Sequence, residues 1–153
     1  MKAWLGAVCA LGLAQSAAAA CSDTSVTVIG DFGEARFTVA LADTNETRAQ
    51  GLMFVEQMGT LEGMLFVYDT PRRATFWMKN TLISLDMLFA DETGTVTRLH
   101  EFAIPGDVTT IDGGDNVIAV LEINGGLSGR LGIKEGDVLQ HPSFGDKAAA
   151  PCE

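Results

Sequence analysis

Short apolar runs separated by turn residues are the feature that most constrains the fold of this chain. The runs are about as long as an ordinary β-strand, as in 24–29 (TSVTVI), Leu85–Ala90 (LDMLFA) and 117–123 (VIAVLEI). Seventeen glycines in 153 residues indicate frequent turns. No alternation of strands with long helices is visible, so a parallel sheet is not expected. The pattern predicts an α+β, β-rich fold: a compact, mostly antiparallel, barrel-like domain.

Two short helices are expected between the strands. Asp43 is placed to cap the first helix, over 44–50, and Glu46 to complete a capping box. Gly51 is a natural residue to end that helix. The second helix is predicted over 126–131.

Residues 1–20 have the composition of a secretory signal peptide. Lys2 supplies a positive charge, 4–13 form an apolar core, and an A-x-A cleavage site precedes Cys21. This core is shorter than the ~20 residues that span a bilayer. We therefore predict a periplasmic or secreted protein in which 21–153 form a single domain. Membrane attachment is expected only if Cys21 is lipidated or the signal is not cleaved.

Three cysteines bear on the state of the exported chain. Cleavage of the signal would remove Cys9 and leave Cys21 and Cys152 at the two ends of the mature protein. Export would place the chain in an oxidising compartment. We therefore predict a disulfide between Cys21 and Cys152. The alternatives are two unpaired thiols or an acylated Cys21.

The charge of the chain excludes one class of partner. It carries 20 acidic residues against 10 lysines and arginines, a net charge of -10. Such a chain is a poor non-specific ligand for nucleic acid or for an anionic membrane surface. No nucleic-acid partner is therefore expected.

The candidate ligand-binding residues lie in a basic segment, 70–85, of this acidic chain. The segment carries cationic side chains and no carboxylate before Asp86. An aromatic ring beside ammonium and amide groups suits a small anionic or sugar-like ligand, or an envelope protein. In the alternative interpretation the aromatic ring is in the core and the arginines balance nearby acids. The candidates are Trp77, Lys79, Asn80, Arg72 and Arg73.

Strand alternation predicts which of these side chains face outwards. On a strand over 75–79, Phe76 and Met78 point to one face, whereas Trp77 and Lys79 point to the other. We therefore expect Trp77 to be less buried than Phe76 and Met78.

Asp86 interrupts an apolar run, and burial of an isolated carboxylate is costly. A turn over 81–84 would bring Lys79 beside Asp86, so we predict a partly buried, structural ion pair between them. A general acid–base role for Asp86 is the alternative, and it requires a second titrating group.

Sequence patterns for catalysis and for cofactors are sparse. The chain has no nucleophile-elbow motif, zinc-ligand spacing, phosphate loop or dinucleotide fingerprint, so no cofactor and no metal site is predicted. Asp86 or Glu122 with His100 would be the acid–base pair of an envelope-polymer hydrolase or lyase. Soft methionine sulfurs would suit a copper-handling protein, although these methionines lie in apolar runs typical of a core: Met53, Met58, Met64, Met78 and Met87.

Several motifs together resemble the DUF192 family. They begin at Gly51 (GLMF), Glu62 (EGMLFV), Phe76 (FWMKNT), Leu85 (LDM), Pro105 (PG), Val120 (VLEINGG) and Leu131 (LGIK). The resemblance covers about 36–140. It implies a compact β-rich fold and often a secreted or membrane-anchored location, but no established activity. Ser84 departs from the proline that is common in the family.

The sequence thus favours a non-catalytic binding or accessory protein of the cell envelope with a Trp/Lys/Asn surface site. The alternatives are the hydrolase or lyase and the copper-handling protein. A concave pocket lined by Trp77 and Lys79 would favour binding. Two carboxylates facing each other in a cleft would favour an enzyme, and converging exposed methionine sulfurs would favour copper.

Overall fold

The computed structural model describes residues 21–152, and the predicted signal peptide lies outside them. No helix within this range has the length and apolar character needed to cross a bilayer. The described residues form seven strands and three short helical segments: β1 Ser25–Gly30, β2 Gly33–Ala42, α1 Asn45–Gln50, β3 Glu62–Phe76, β4 Leu85–Ala90, β5 Val96–Ala103, β6 Ile111–Asn124, α2 Leu127–Leu131, β7 Val138–Gln140 and a 3₁₀ segment Pro142–Lys147.

The seven strands form one sheet in the order β5-β4-β6-β3-β2-β1-β7. All neighbouring pairs are antiparallel except β2 and β3, which run parallel with α1 in their connection. The sheet curls into a half-barrel, and Thr95, just before β5, forms an isolated bridge to Val138 in β7, the strand at the other edge. The predicted β-rich, mostly antiparallel, barrel-like fold is confirmed, with a 3₁₀ segment beyond the two predicted helices.

Apolar side chains are buried on both faces of the central strands. Leu88 and Leu121 belong to one buried cluster, whereas their chain neighbours Phe89 and Val120 belong to the other. This follows from the alternation of side chains along a strand. All six residues of β4 are buried. The sheet is therefore covered on both sides, and each face has its own core.

β3 is longer than the sequence indicates. The predicted runs 64–68 and 75–79 belong to or overlap one strand, which ends at Phe76. Its pairing with β6 shifts register between Val67 and Arg72 and again further along. The prediction of a strand continuing over 77–79 is therefore wrong, and those residues follow the strand as a loop.

Threonine hydroxyls cap α1, and the predicted carboxylate cap is wrong. The Thr44 hydroxyl accepts a hydrogen bond from the Thr47 backbone N–H at 3.1 Å, and the Thr47 hydroxyl accepts one from the Thr44 N–H at 3.0 Å. This is a capping box shifted by one residue from Asp43 and Glu46. Gly51 ends the helix at a positive φ, as predicted.

Asp86 on β4 is completely buried, and its carboxylate joins three segments of the chain. One oxygen accepts hydrogen bonds from the backbone N–H groups of Phe102 (2.9 Å) and Gly126 (2.8 Å). The other accepts from the N–H and the hydroxyl of Ser128. The predicted ion pair with Lys79 is wrong, because β5 and the start of α2 supply the partners instead.

The two ends of the described chain are tied together. Cys21 and Cys152 form the predicted disulfide, with a Cα–Cα distance of 5.7 Å. Beside it, the buried His141 ring lies 3.3 Å from the Asp23 carbonyl and accepts a hydrogen bond from the Ser143 N–H at 3.1 Å. Burial lowers the pKa of His141, which keeps the ring neutral at pH 7.

Replacing both cysteines by serine (Cys21→Ser with Cys152→Ser) should lower the free energy of unfolding by up to about 4–5 kcal/mol, the entropy of closing a very long loop. The two residues are 131 apart in sequence. Urea unfolding of the oxidised protein and the double variant measures the difference. The reduced wild-type protein is the control and should match the variant. Equal midpoints for the oxidised protein and the variant would contradict the expectation.

Asp86→Ala should lower the free energy of unfolding by roughly 3–5 kcal/mol, because buried donors lose their acceptor at a cost of about 1–3 kcal/mol each. The matched control is Asp115→Ala, which removes an exposed partner of Arg73. That change should cost less than about 1 kcal/mol. Similar unfolding midpoints for the two variants would show that the hydrogen bonds to Asp86 do not stabilise the fold.

Candidate functional site

A cavity of about 250 Å³ opens beside Trp77, and we call it the Trp77 cavity. Its lining comes from α1 and the turn after it, from β3 and the loop that follows, and from β6. Exposed residues form its mouth, and a buried glutamate lies at its inner end. The lining side chains that determine its chemistry are Arg48, Tyr68, Phe76, Trp77, Lys79 and Glu122.

Glu122 is a buried carboxyl group that faces this cavity. Its side chain is only 4% exposed, and the residues opposite it on the neighbouring strands are Met64 and Met87. Within residues 21–152 its carboxyl group has no hydrogen bond or ion pair. Burial raises the pKa of Glu122 from 4.5 to about 8. The group is therefore predominantly an uncharged carboxylic acid at pH 7.

Two guanidinium groups lie against the ring of Tyr68, at 5.3 Å for Arg48 and 4.6 Å for Arg72 from its centroid. Arg48 also donates hydrogen bonds to the carbonyls of Asp43 (2.6 Å) and Val67 (2.7 Å), and so holds α1 against β3. Burial raises the pKa of Tyr68, and the two arginines partly oppose the shift. The phenol is therefore uncharged. Arg72 contacts Tyr68 but does not line the cavity.

Aromatic rings form a fixed wall on one side of the cavity. Phe66 and Phe76 pack edge to face with centroids 5.1 Å apart, and Phe76 packs in the same way on Phe89 at 5.6 Å. Such pairs are favourable beyond the area they bury. The wall is therefore apolar and preorganised, and it continues into the core.

Trp77 and Lys79 lie together at the mouth. Trp77 is 50% exposed, whereas Met78 is 1% exposed and Phe76 is half-buried. The expectation that Trp77 is less buried than both neighbours is confirmed. The Lys79 ammonium lies 5.1 Å from the centroid of the Trp77 ring, within cation–π distance. One face of the ring is thus covered by a cation, and a positive charge stands at the entrance.

The remaining predicted candidates do not line the cavity. The Asn80 carbonyl accepts a hydrogen bond from the Phe54 N–H at 2.8 Å, so Asn80 shapes the loop beside the mouth. Arg73 forms ion pairs with Asp112 (2.7 Å) and Asp115 (3.2 Å). Arg73 therefore balances nearby acids, as the alternative interpretation of the basic segment predicted.

The residues considered for a hydrolase or lyase are not brought together. Glu122 and His100 lie on opposite sides of Met87 across neighbouring strands, which separates them by about 10 Å. His100 lines a different cavity, of about 320 Å³. Asp86 lines neither cavity, and its carboxylate accepts four hydrogen bonds from Phe102, Gly126 and Ser128.

The methionines of the copper-handling alternative differ in burial. Met78 and Met87 are fully buried in the core, so they do not present sulfur at the surface, whereas Met53, Met58 and Met64 are partly buried. Within residues 21–152 no cluster of three His, Cys, Asp or Glu side chains is placed to hold a metal ion.

Comparison with known proteins agrees with this fold and with the motifs. Residues 27–141 match DUF192, a family described as "Uncharacterized ACR". The chain belongs to the DUF192 family. The resemblance drawn from the motifs is therefore confirmed.

Two crystal structures resemble this DUF192 protein. One is a candidate transcription regulator from Sinorhizobium meliloti 1021, with a TM-score of 0.77 and 38% identity over 83% of this chain and 99% of that chain. The other is a protein of unknown function from Novosphingobium aromaticivorans DSM 12444, with a TM-score of 0.74 and 40% identity over 86% and 99%. No curated protein is significantly similar to the chain.

Glu122 is the residue whose place in the Trp77 cavity the sequence analysis does not predict, because there it is only a possible partner for His100. A signal was present, because Glu122 interrupts the apolar run VIAVLEI just as Asp86 interrupts LDMLFA. Arg48 and Tyr68 show no comparable sequence pattern. Their positions beside the Trp77 cavity depend on the packing of α1 against β3.

As the pH rises from 5 to 9, the free energy of unfolding of Glu122→Gln should increase by roughly 3–4 kcal/mol relative to that of the wild type. A carboxyl with a raised pKa binds its proton more tightly in the folded state. Wild-type stability therefore falls as the pH rises from 4.5 to about 8. Glutamine keeps the shape and does not titrate. Urea unfolding at the two pH values measures the change, with the exposed Glu34→Gln as control. Parallel pH curves for wild type and Glu122→Gln would contradict the shifted pKa.

Proposed function

We propose that this DUF192 protein binds a small polar compound in the Trp77 cavity and acts as a non-catalytic binding or accessory protein of the cell envelope. The observation that carries the proposal is Glu122, a nearly buried carboxyl group that has no hydrogen bond or ion pair within residues 21–152 and faces an open cavity. Removing such a group from bulk water without a fixed partner is unfavourable. A ligand that offers a hydrogen bond would satisfy it, which gives a reason for its presence in the core.

The size and lining of the cavity support a small ligand with an apolar part. Its volume, about 250 Å³, lies just below the range of roughly 300–1,000 Å³ usual for small-molecule sites. The phenylalanine wall suits an apolar body. Glu122 and Tyr68 offer hydrogen bonds inside, and Lys79 offers a positive charge at the mouth. This chemistry suits the anionic or sugar-like ligand that the sequence predicted.

Binding is favoured over catalysis by the set of titratable groups. The cavity lining, within the described chain, contains one carboxyl group and no histidine or cysteine. Hydrolysis of a glycosidic polymer typically uses a pair of carboxyl groups. The lining supplies one carboxyl group, so we propose a binding role.

The envelope location rests on the sequence of residues 1–20 together with the disulfide. A Cys21–Cys152 bond is compatible with an oxidising compartment. It also uses the Cys21 thiol, so a chain with this bond has no thiol there to accept a lipid. We therefore propose a periplasmic or secreted protein that is not anchored through Cys21, with a small ligand or an envelope protein as partner. The net charge of -10 argues against nucleic acid.

Lys79→Gln should weaken the binding of anionic ligands about three- to tenfold, because it removes the positive charge at the mouth, worth about 1 kcal/mol at an exposed site. The exported protein is screened with small organic anions and sugars by thermal shift and by tryptophan emission. Trp4 lies in the predicted signal, so Trp77 is then the only tryptophan. A ligand present at 100 times its Kd should raise the free energy of unfolding by about 2.7 kcal/mol.

The matched control is Lys147→Gln, which removes a lysine paired with Glu92 away from the cavity. It should leave both signals unchanged. If no anion or sugar alters the melting temperature or the emission, or if both lysine variants weaken binding equally, the Trp77 cavity is not the binding site.

A further inference from the structure

We propose that the Trp77 cavity selects a small organic carboxylate, and that Glu122, as a carboxylic acid, donates the hydrogen bond that holds it. This inference rests on the proposed binding function and names the ligand class of the same site. It concerns the one carboxyl group that lines the cavity, which has no hydrogen bond or ion pair within the described chain.

The charges around the cavity favour an anion. Apart from Glu122, the charged side chains that line it are Arg48 and Lys79, both cationic. Arg72 adds a third positive charge behind the Tyr68 ring. A cationic ligand would pass positive groups on entry and meet no ionised carboxylate inside. An anionic ligand is attracted at the mouth and along the wall.

The surroundings of Glu122 keep it in the acid form. From β3 and β4 it faces Met64 and Met87. Tyr68 and Arg48 are the titratable or charged groups that approach from β3 and α1, and neither forms a hydrogen bond or ion pair with it. A carboxylic acid donates to a carboxylate through a short, charge-assisted O–H···O bond. A bound negative charge favours the acid form further.

The inner wall favours a carboxylate over a sugar or a phosphate. A sugar needs matched donors and acceptors around its ring, whereas one wall of the cavity, formed by Phe66 and Phe76, offers none. A phosphate monoester carries about -1.5 to -2 charges at pH 7, and its oxygens need several donors. Arg48 already donates to the carbonyls of Asp43 and Val67. A ligand with one carboxylate and a small apolar body matches the groups that remain, namely the Glu122 carboxylic acid, the Lys79 ammonium and the phenylalanine wall.

The test uses nine compounds of three molecular shapes, and each shape is tested in an anionic, an uncharged and a cationic form. The carboxylates are acetate, benzoate and glucuronate. Acetamide, benzamide and glucose are their uncharged counterparts, and ethylamine, benzylamine and glucosamine are the cations. Each is titrated calorimetrically into the exported protein at pH 7, up to about 10 mM, where a ligand with a Kd near 1 mM occupies most sites. We expect at least one carboxylate to bind at least tenfold more tightly than its amide or sugar and its amine.

The pH dependence of binding identifies the donor. For the carboxylate that binds best, affinity should fall about tenfold between pH 7 and pH 9, as Glu122 loses its proton. Tyr68 does not titrate in this window, because its pKa is raised above 10.0. In Glu122→Gln the donor is an amide N–H that does not titrate, so the affinity of this variant should change by less than about twofold between pH 7 and pH 9. The exposed Glu34→Gln is the control and should keep the wild-type dependence.

Each outcome supports or overturns the inference. Preferred binding of glucose or an amide would overturn it and leave the proposed binding function standing. Tighter binding of an amine would show that Glu122 acts as an anion, and would also overturn it. Carboxylate binding with no loss at pH 9 would show that Glu122 is not the donor. If none of the nine compounds binds, both the inference and the proposed function fail.

Discussion

Two buried carboxyl groups on neighbouring strands have different roles: one stabilises the fold, and the other faces the Trp77 cavity. Asp86 on β4 lies opposite Ile123, whereas Glu122 on β6 lies opposite Met87, so they point to opposite faces of the sheet. Asp86 is saturated by hydrogen bonds from Phe102, Gly126 and Ser128. Because these donors come from β5 and from the segment around α2, one carboxylate fixes how the chain folds back after β6.

Glu122 has the opposite environment. It is 4% exposed and lines an open cavity, and it has no hydrogen bond or ion pair within the described chain. Its burial therefore opposes folding rather than supporting it. The strands approach closely beside it: a side chain on Gly63 of β3 would come within 2.4 Å of the backbone carbonyl of Glu122. Natural proteins keep such costly groups where a function needs them. The aromatic wall and the cationic mouth then indicate what that function handles.

Local chemistry made parts of this structure predictable from the sequence. The turn signals around Leu85–Ala90 gave the bounds of β4, and the cysteine positions gave the disulfide. The exposure of Trp77 was predicted correctly, although the strand alternation behind that prediction does not exist, because 77–79 form a loop. The predictions that failed concern contacts between residues that are far apart in the sequence. Hydrogen bonds from residues some 16 to 42 positions away satisfy Asp86, and no local pattern reveals them. Likewise, the Trp77 cavity exists because α1 packs against β3, so Arg48 and Tyr68 could not be placed beforehand.

The central claim is that Glu122 is a carboxylic acid held ready for a ligand. The most direct measurement is an NMR titration of the glutamate side-chain carboxyl carbons, with the Glu122 signal assigned by its loss in Glu122→Gln. A titration midpoint near 8 in the free protein, moving higher when a carboxylate is bound, is the predicted result. A midpoint near the ordinary value of 4.5 would contradict the claim, because Glu122 would then be an ordinary ionised side chain at pH 7.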